Sequence, residues 1–359
     1  MDPKKAEKRL NIGGIKLHKI DIEKDVIAHP SLSIVRGIRE LPLARARVCM
    51  EIEGLSDTGI NAIRRTMLDE IEGAALQTAL DEFVIDAQYD DFAQQHFIMM
   101  QIAFIPLRLN LDKNIISSIY YSLHKINSSA VPMKIYASDL ELHFMPGVRP
   151  FAIKEAIFNP TFVIAEISPG KALQIKHINI VTGYGNVNAS FQPICRAAME
   201  NVDIEQYSPQ EMNMKSEVSE MSGYKVSCML ADSCHHRIRF VVKAYSHESE
   251  ILSFIRNTFI NLVSRFRAVI NVVSGANIID YTDGMKQLTI ELDDTVTVAH
   301  TIVKAMFDYT KNTIYHVSYV NNDTINKRVL KIIHIDPISV LTSTLQYIVA
   351  VYEKLLSQV

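Results

Sequence analysis

The stretch Gly59–Leu76, GINAIRRTMLDEIEGAAL, constrains this chain more than any other. Ile60, Ile63, Met67, Ile71 and Ala75 recur at three- and four-residue steps, which predicts one amphipathic helix with a single buried stripe. Asn61, Arg64, Arg65, Asp69 and Glu72 fall on the remaining surface. Ser56, Asp57 and Thr58 offer oxygens for the orphan N–H groups of the first turn. A strand is expected just before it, because Ala46, Val48, Met50 and Ile52 alternate with Arg47, Cys49 and Glu51. Guanidinium groups are planar forks that bind carboxylates and carbonyls at interfaces. The plainer reading leaves Arg64 and Arg65 as solvated surface charges.

A chain of 359 residues is long enough for two or more domains with a sizeable core. Hydrophobic residues make up 48% and charged residues 21%, as in soluble globular proteins. No apolar run is long enough to span a bilayer, and the polar opening MDPKKAEKRLNIGG does not read as a signal sequence. The formal charge of −3 disfavours a protein that tracks nucleic-acid phosphates itself. Cys49, Cys195, Cys228 and Cys234 are scattered, which suits a reducing compartment without a disulfide framework. Cys228, Cys234, His235 and His236 are zinc-type ligands at a spacing that matches no familiar finger.

Further along, Phe83–Ala87 reads as a strand, Phe97–Leu109 as a long apolar stretch, and Asn114–Ile126 as a short helix. Met133–Tyr136, Leu140–Phe144 and Leu173–Val181 read as strands. Gly183-x-Gly185 is a tight loop and not a dinucleotide fingerprint, since no third glycine follows in register. Cys195–Ser222 is a polar excursion, and Tyr224–Leu230 and Arg237–Ala244 are strands. Glu248–Ile270 is a long amphipathic helix bearing Ile251, Ile255, Phe259, Leu262 and Phe266 on one face. After a polar junction, Val273–Gly284, the rhythm is clean. It runs strand Lys286–Leu292, helix Val296–Thr310, strands Ile314–Val320 and Lys327–Ile335, then helix Ile338–Leu356 with Leu341, Leu345, Ile348, Tyr352 and Leu355 in a stripe.

Three segments carry a family resemblance. INAIRRTMLDEI resembles the first helix of the RNA polymerase assembly subunits, bacterial alpha and archaeal and eukaryotic subunit 3, with Asn61, Arg64, Arg65 and Glu70 at that family's polar positions. In FIMMQIAFIPL, Phe97, Ile98, Ile102, Ile105, Pro106 and Leu107 keep the family's apolar frame. Its acidic pair is replaced by Gln95 and His96, and its His-Arg pair by Met100 and Gln101. In GYGNVNASFQPI, Gly183, Gly185, Ala189, Phe191 and Pro193 keep the spacing, while Asn186, Asn188 and Ser190 stand for its basic and His residues. The β-α-β-β-α order after residue 284 resembles subunit 11, the small partner of subunit 3, with Thr297, Val298 and Ala299 at the family's helix start.

The chain therefore resembles a subunit 3 and a subunit 11 fused end to end, as in large cytoplasmic DNA viruses such as African swine fever virus. The resemblance implies an α+β fold. An alpha/subunit 3-like dimerisation domain (41–76 plus 173–270) would carry an inserted β-rich domain (77–172). A subunit 11-like domain (285–359) would complete an intramolecular pseudo-dimer, and residues 1–40 would form an N-terminal extension. Helices 248–270 and 338–356 would pair through Phe259, Leu262, Leu345 and Ile348. Asn61, Arg64 and Arg65 would face the second-largest subunit. The implied role is a non-catalytic platform for the two largest polymerase subunits and for small subunits like cellular 10 and 12, in host cytoplasm and virion. No cofactor, metal, membrane or direct nucleic-acid contact is implied. The region 77–172 lacks the cysteines that bind zinc or an iron–sulfur cluster in cellular relatives.

Two other classes compete. An enzyme could use Asp90–Asp91 or Asp293–Asp294 and the 12 histidines, yet no triad, phosphate loop or metal motif frames them. A nucleic-acid module would need basic–aromatic interleaving that is missing.

Overall fold

The computed structural model describes residues 14–26, 44–84, 92–109, 111–153, 157–201, 235–243, 246–273, 275–281, 284–292, 296–310, 316–322 and 327–359. The strand expected at Tyr224–Leu230, Cys228, Cys234 and both aspartate pairs lie outside these residues.

The described residues begin with β1 (Lys16–Val26), β2 (Ala44–Glu53), α1 (Asp57–Arg65) and one π-helical turn (Thr66–Glu70). Next come β3 (Glu72–Gln77), β4 (Phe83–Val84), α2 (Phe92–Ala103), α3 (Lys113–Ser118), β5 (Ile119–Ile126), β6 (Met133–Tyr136), β7 (Glu141–Phe144), β8 (Val163–Ile167) and β9 (Ala172–Tyr184). The rest is β10 (Ile194–Asn201), β11 (His235–Val242), α4 (Glu248–Val273), β12 (Asn277–Asp280), β13 (Lys286–Leu292), α5 (Val296–Thr310), β14 (His316–Asn322), β15 (Lys327–His334) and α6 (Pro337–Leu356).

One topology occurs twice. An antiparallel sheet of order β1-β2-β11-β10 and another of order β12-β13-β15-β14 are each built from a hairpin, a helix, a second strand pair and a long helix. In the first copy the helices are α1 and α4; in the second they are α5 and α6. Equivalent helices meet: α4 packs along α6, and α1 packs on α5. The two copies share one hydrophobic core, which runs from Ile15 and Met50 through Phe259 and Leu262 to Leu345 and Leu355. β1 pairs with β2 over its length, so a strand from the first forty residues belongs to this body.

A second core lies between the two motif-bearing parts of the first copy. It joins α2 to the sheet β3-β9-β5-β7 and the pair β6-β8. Leu173, Ile175, Ile178 and Ile180 of β9 belong to it.

Two helices are shorter than their patterns predict. The helix expected over Gly59–Leu76 ends with the turn at Glu70, and Glu72–Gln77 is a strand. Ladder pairing with β9 overrides the helical spacing of Ile71 and Ala75, and Gly73 takes a site that admits no side chain. Asn114–Ile126 divides into a six-residue helix and a strand. There Ile119, Tyr121 and Leu123 are buried alternately, a period of two that Ile115, Ile116 and Ile119 disguise as helical spacing. Within the polar junction, Asn277–Asp280 forms an edge strand on β13.

Candidate assembly interface

β2 delivers the chain to Ser56, whose hydroxyl accepts a hydrogen bond from the Gly59 N–H at 3.1 Å and caps α1. Gly59, Ile60, Ala62 and Ile63 turn inward. Asn61, Arg64 and Arg65 are half-buried on the outer side. Arg64 donates from Nε (3.1 Å) and Nη2 (2.9 Å) to the Asn61 amide oxygen. That fork holds the guanidinium against the helix and leaves further N–H donors pointing away. Among the described residues neither arginine reaches a carboxylate. Their place in the last turn of α1 also suits the negative end of the helix dipole.

Glu70 behaves differently from the other three polar positions of that motif. It is 7% exposed, accepts a hydrogen bond from the Thr66 hydroxyl at 2.9 Å, and forms an ion pair with Arg265 of α4. It therefore fastens the end of α1 to the long helix.

The segment Gly183–Pro193 closes on the same spot. A Cβ on Gly73 would lie 1.8 Å from the Phe191 carbonyl oxygen, and one on Gly185 would lie 2.7 Å from that of Leu68. Gln192 Nε2 donates to Asp69 at 2.9 Å, and the Asn186 N–H donates to the Asp69 carbonyl at 3.1 Å. Two stretches about 120 residues apart thus form one rigid corner (Gln192 and Asp69 are 123 apart). The sequence pattern missed Gly73. Its signal was a glycine at the end of a helical run.

The middle segment lies on α2. Ile98 and Ile102 are buried, whereas Phe92, Phe97 and Met100 are each more than half exposed. Beyond it, Arg108 grips Glu250 of α4 at 2.7–3.1 Å. Lys243, just past β11, was not singled out by any pattern. Its ammonium donates to the Ser190 carbonyl at 2.7 Å and sits 5.6 Å from the centre of the Phe104 ring. Burial lowers its pKa to about 8.

Phe259, Leu262, Leu345 and Ile348 all lie in the shared core, at most 4% exposed. Phe266 and Tyr352 stack with centroids 5.9 Å apart, and Arg267 pairs with Glu353. The Tyr352 hydroxyl donates to the Gly59 carbonyl at 3.2 Å, joining α6 to α1, and burial pushes that phenol's pKa up. His235 and His236 neighbour each other on β11 and face opposite ways, toward Glu51 (3.6 Å) and Asp57 (3.3 Å) respectively. Among the described residues no three metal-type ligands converge. No described helix is long and apolar enough to cross a membrane.

No protein-family profile matches the chain. Curated relatives do. The chain is 27% identical over 358 residues, 94% of each chain, to the DNA-directed RNA polymerase RPB3-11 homolog of African swine fever virus from a tick isolate of Pretoriuskop, South Africa. The same values hold for the homolog from a Namibian warthog isolate. For the Vero-adapted Badajoz strain the identity is 30% over 258 residues, 71% of this chain and 68% of the relative.

Proposed function

Because the chain belongs to the family of these viral DNA-directed RNA polymerase RPB3-11 homologues, we propose that it is the platform on which a multisubunit polymerase assembles. It is a subunit 3 and a subunit 11 in one chain, with no active site of its own. The observation that carries this reading is the repeated topology. Two copies of one sheet-and-helix unit bury a common core through equivalent helices, which is how the two halves of a symmetric dimer meet. Residues 77–172 are then an insert, and the pair α4–α6 with Phe259, Leu262, Leu345 and Ile348 is the pseudo-dimer seam.

The outer face of α1 is the contact for the second-largest subunit, through Asn61, Arg64 and Arg65. Two guanidinium groups that meet no carboxylate among the described residues, held on a helix whose far end is pinned by Glu70, form a pre-set receptor for carboxylates or carbonyl oxygens. The partners are the two large subunits and small subunits like cellular 10 and 12, in the host cytoplasm and the virion.

The test is mild affinity purification of the tagged full chain from infected cells or virions, with mass spectrometry of what accompanies it. Two large subunits in equal amounts are expected. The chain alone, or with unrelated enzymes, overturns the reading.

A further inference from the structure

The corner between the two cores holds a cavity of about 460 Å³. Its walls include Gly73, Arg108, Gln192, Lys243 and Asn257. Its carboxylates are spoken for: Glu72 pairs with Lys113 at 3.5 Å, and nearby Glu250 is held by Arg108 and by the His247 N–H. Lys243 is the exception. Among the described residues it meets a carbonyl and an aromatic face, and no carboxylate. A half-buried ammonium without a counter-charge is costly to keep.

The same lysine touches an apolar face that is exposed among the described residues. Phe104 continues the last turn of α2, its N–H donating to the Met100 carbonyl at 3.0 Å. Phe97, Met100 and Phe104 follow at steps of three and four, on one stripe, 58%, 55% and 37% exposed. Charge and apolar surface are therefore continuous from the cavity to the helix.

We propose that this cavity is a socket for an aspartate or glutamate of a partner polypeptide, borne on a segment whose apolar side chains cover Phe97, Met100 and Phe104. The inference rests on the platform reading and deepens it, since the partner is one of the assembled polymerase subunits. The apolar stripe selects a polypeptide over a nucleic-acid phosphate, because a backbone phosphate offers nothing to bury against three large hydrophobic side chains. The carboxylate supplies a counter-charge that no carboxylate among the described residues gives Lys243, where only the Cys195 sulfur favours the ammonium.

The test uses the full chain in the complex purified with its large subunits. A carbodiimide condenses an amine with a contacting carboxylate into an amide, with loss of water. Peptide mapping of the treated complex is expected to join Lys243 to an acidic residue of another chain. Lys243→Met is expected to abolish that link and to speed dissociation of the partner by about tenfold or more. A complex that contains both large subunits, shows no link from Lys243 to another chain, and holds its partners equally well with Lys243→Met overturns the socket and leaves the platform reading intact. Absence of the large subunits from the wild-type preparation removes the platform reading, and the socket with it.

Discussion

At the scale of single residues, four polar positions of one motif divide into two jobs. Glu70 is structural. Replacing it with Ala removes the buried carboxylate that Arg265 and the Thr66 hydroxyl contact, and a loss of about 3 kcal/mol is expected in denaturant unfolding. Arg64 and Arg65 face outward, so Arg64→Ala with Arg65→Ala is expected to leave that unfolding curve within about 0.5 kcal/mol while reducing co-purification of the second-largest subunit. Equal yields of that subunit from wild type and double variant would remove the arginines from the interface. Lys243 makes a third kind of prediction. Its pKa is about 8 in the folded chain and near 10.5 when unfolded, so the unfolded state binds more protons between those values. Stability at this site therefore rises with pH across that window, and the cost is present in full below it. Lys243→Met is expected to raise the thermal midpoint of the free chain at pH 7, with the gain shrinking as pH approaches 10. A gain that stays constant with pH would separate the effect from the lysine charge. The arginines were legible because adjacent guanidinium groups stand out in a helical pattern. Lys243 was not, since what marks it is that no carboxylate among the described residues meets it in three dimensions.

At the scale of elements, periodicity located what packing later confirmed only where one face decides the conformation. The strand Lys286–Leu292 and the helix Val296–Thr310 have the bounds their patterns predict. Each buries a single face against the shared core. The errors fall where a segment changes partner midway. From Asp57 to Glu70 the chain packs as a helix; from Glu72 on, its backbone groups pair with β9. Apolar spacing cannot register such a handover, because Ile71 and Ala75 suit either state. Gly73 is the residue that permits it. Gly73→Ala is expected to destabilise the chain by about 1–3 kcal/mol, because a Cβ would collide with the Phe191 backbone, which cannot rotate away. A neutral result would mean that the Gly183–Pro193 corner is pliable. The seam is tested by Phe259→Asp with Leu345→Asp, two carboxylates placed in the apolar core. This pair is expected to abolish cooperative folding, whereas Ile260→Asp, on the exposed side of the same helix, is expected to be tolerated. A folded, monomeric, assembly-competent double variant would dismiss the seam.

At the scale of the whole molecule, the repeat explains why the chain is fused. α4 and α6 pack more closely on each other than on any other element, so much of each apolar stripe is buried by the other copy. Two separate chains of this kind would associate as obligate partners, with a stability that depends on concentration. Joining them makes the encounter intramolecular, at an effective concentration of order millimolar. Residues 1–274 and 275–359 expressed as two chains, which keeps the β12–β13 hairpin in one piece, test this directly. Expressed together, they are expected to form a soluble 1:1 complex whose thermal midpoint falls on dilution, while that of the intact chain does not move. Expressed alone, each is expected to aggregate through its uncovered helix, since an apolar face of this size in water seeks another. Residues 275–359 folding as a soluble monomer with no affinity for 1–274 would mean that the seam is a tether between independent domains. The sequence revealed the second copy by its rhythm of strands and helices. Rhythm alone does not mark the first, because about 130 residues lie between α1 and β10, and only the sheet order brings the two parts side by side.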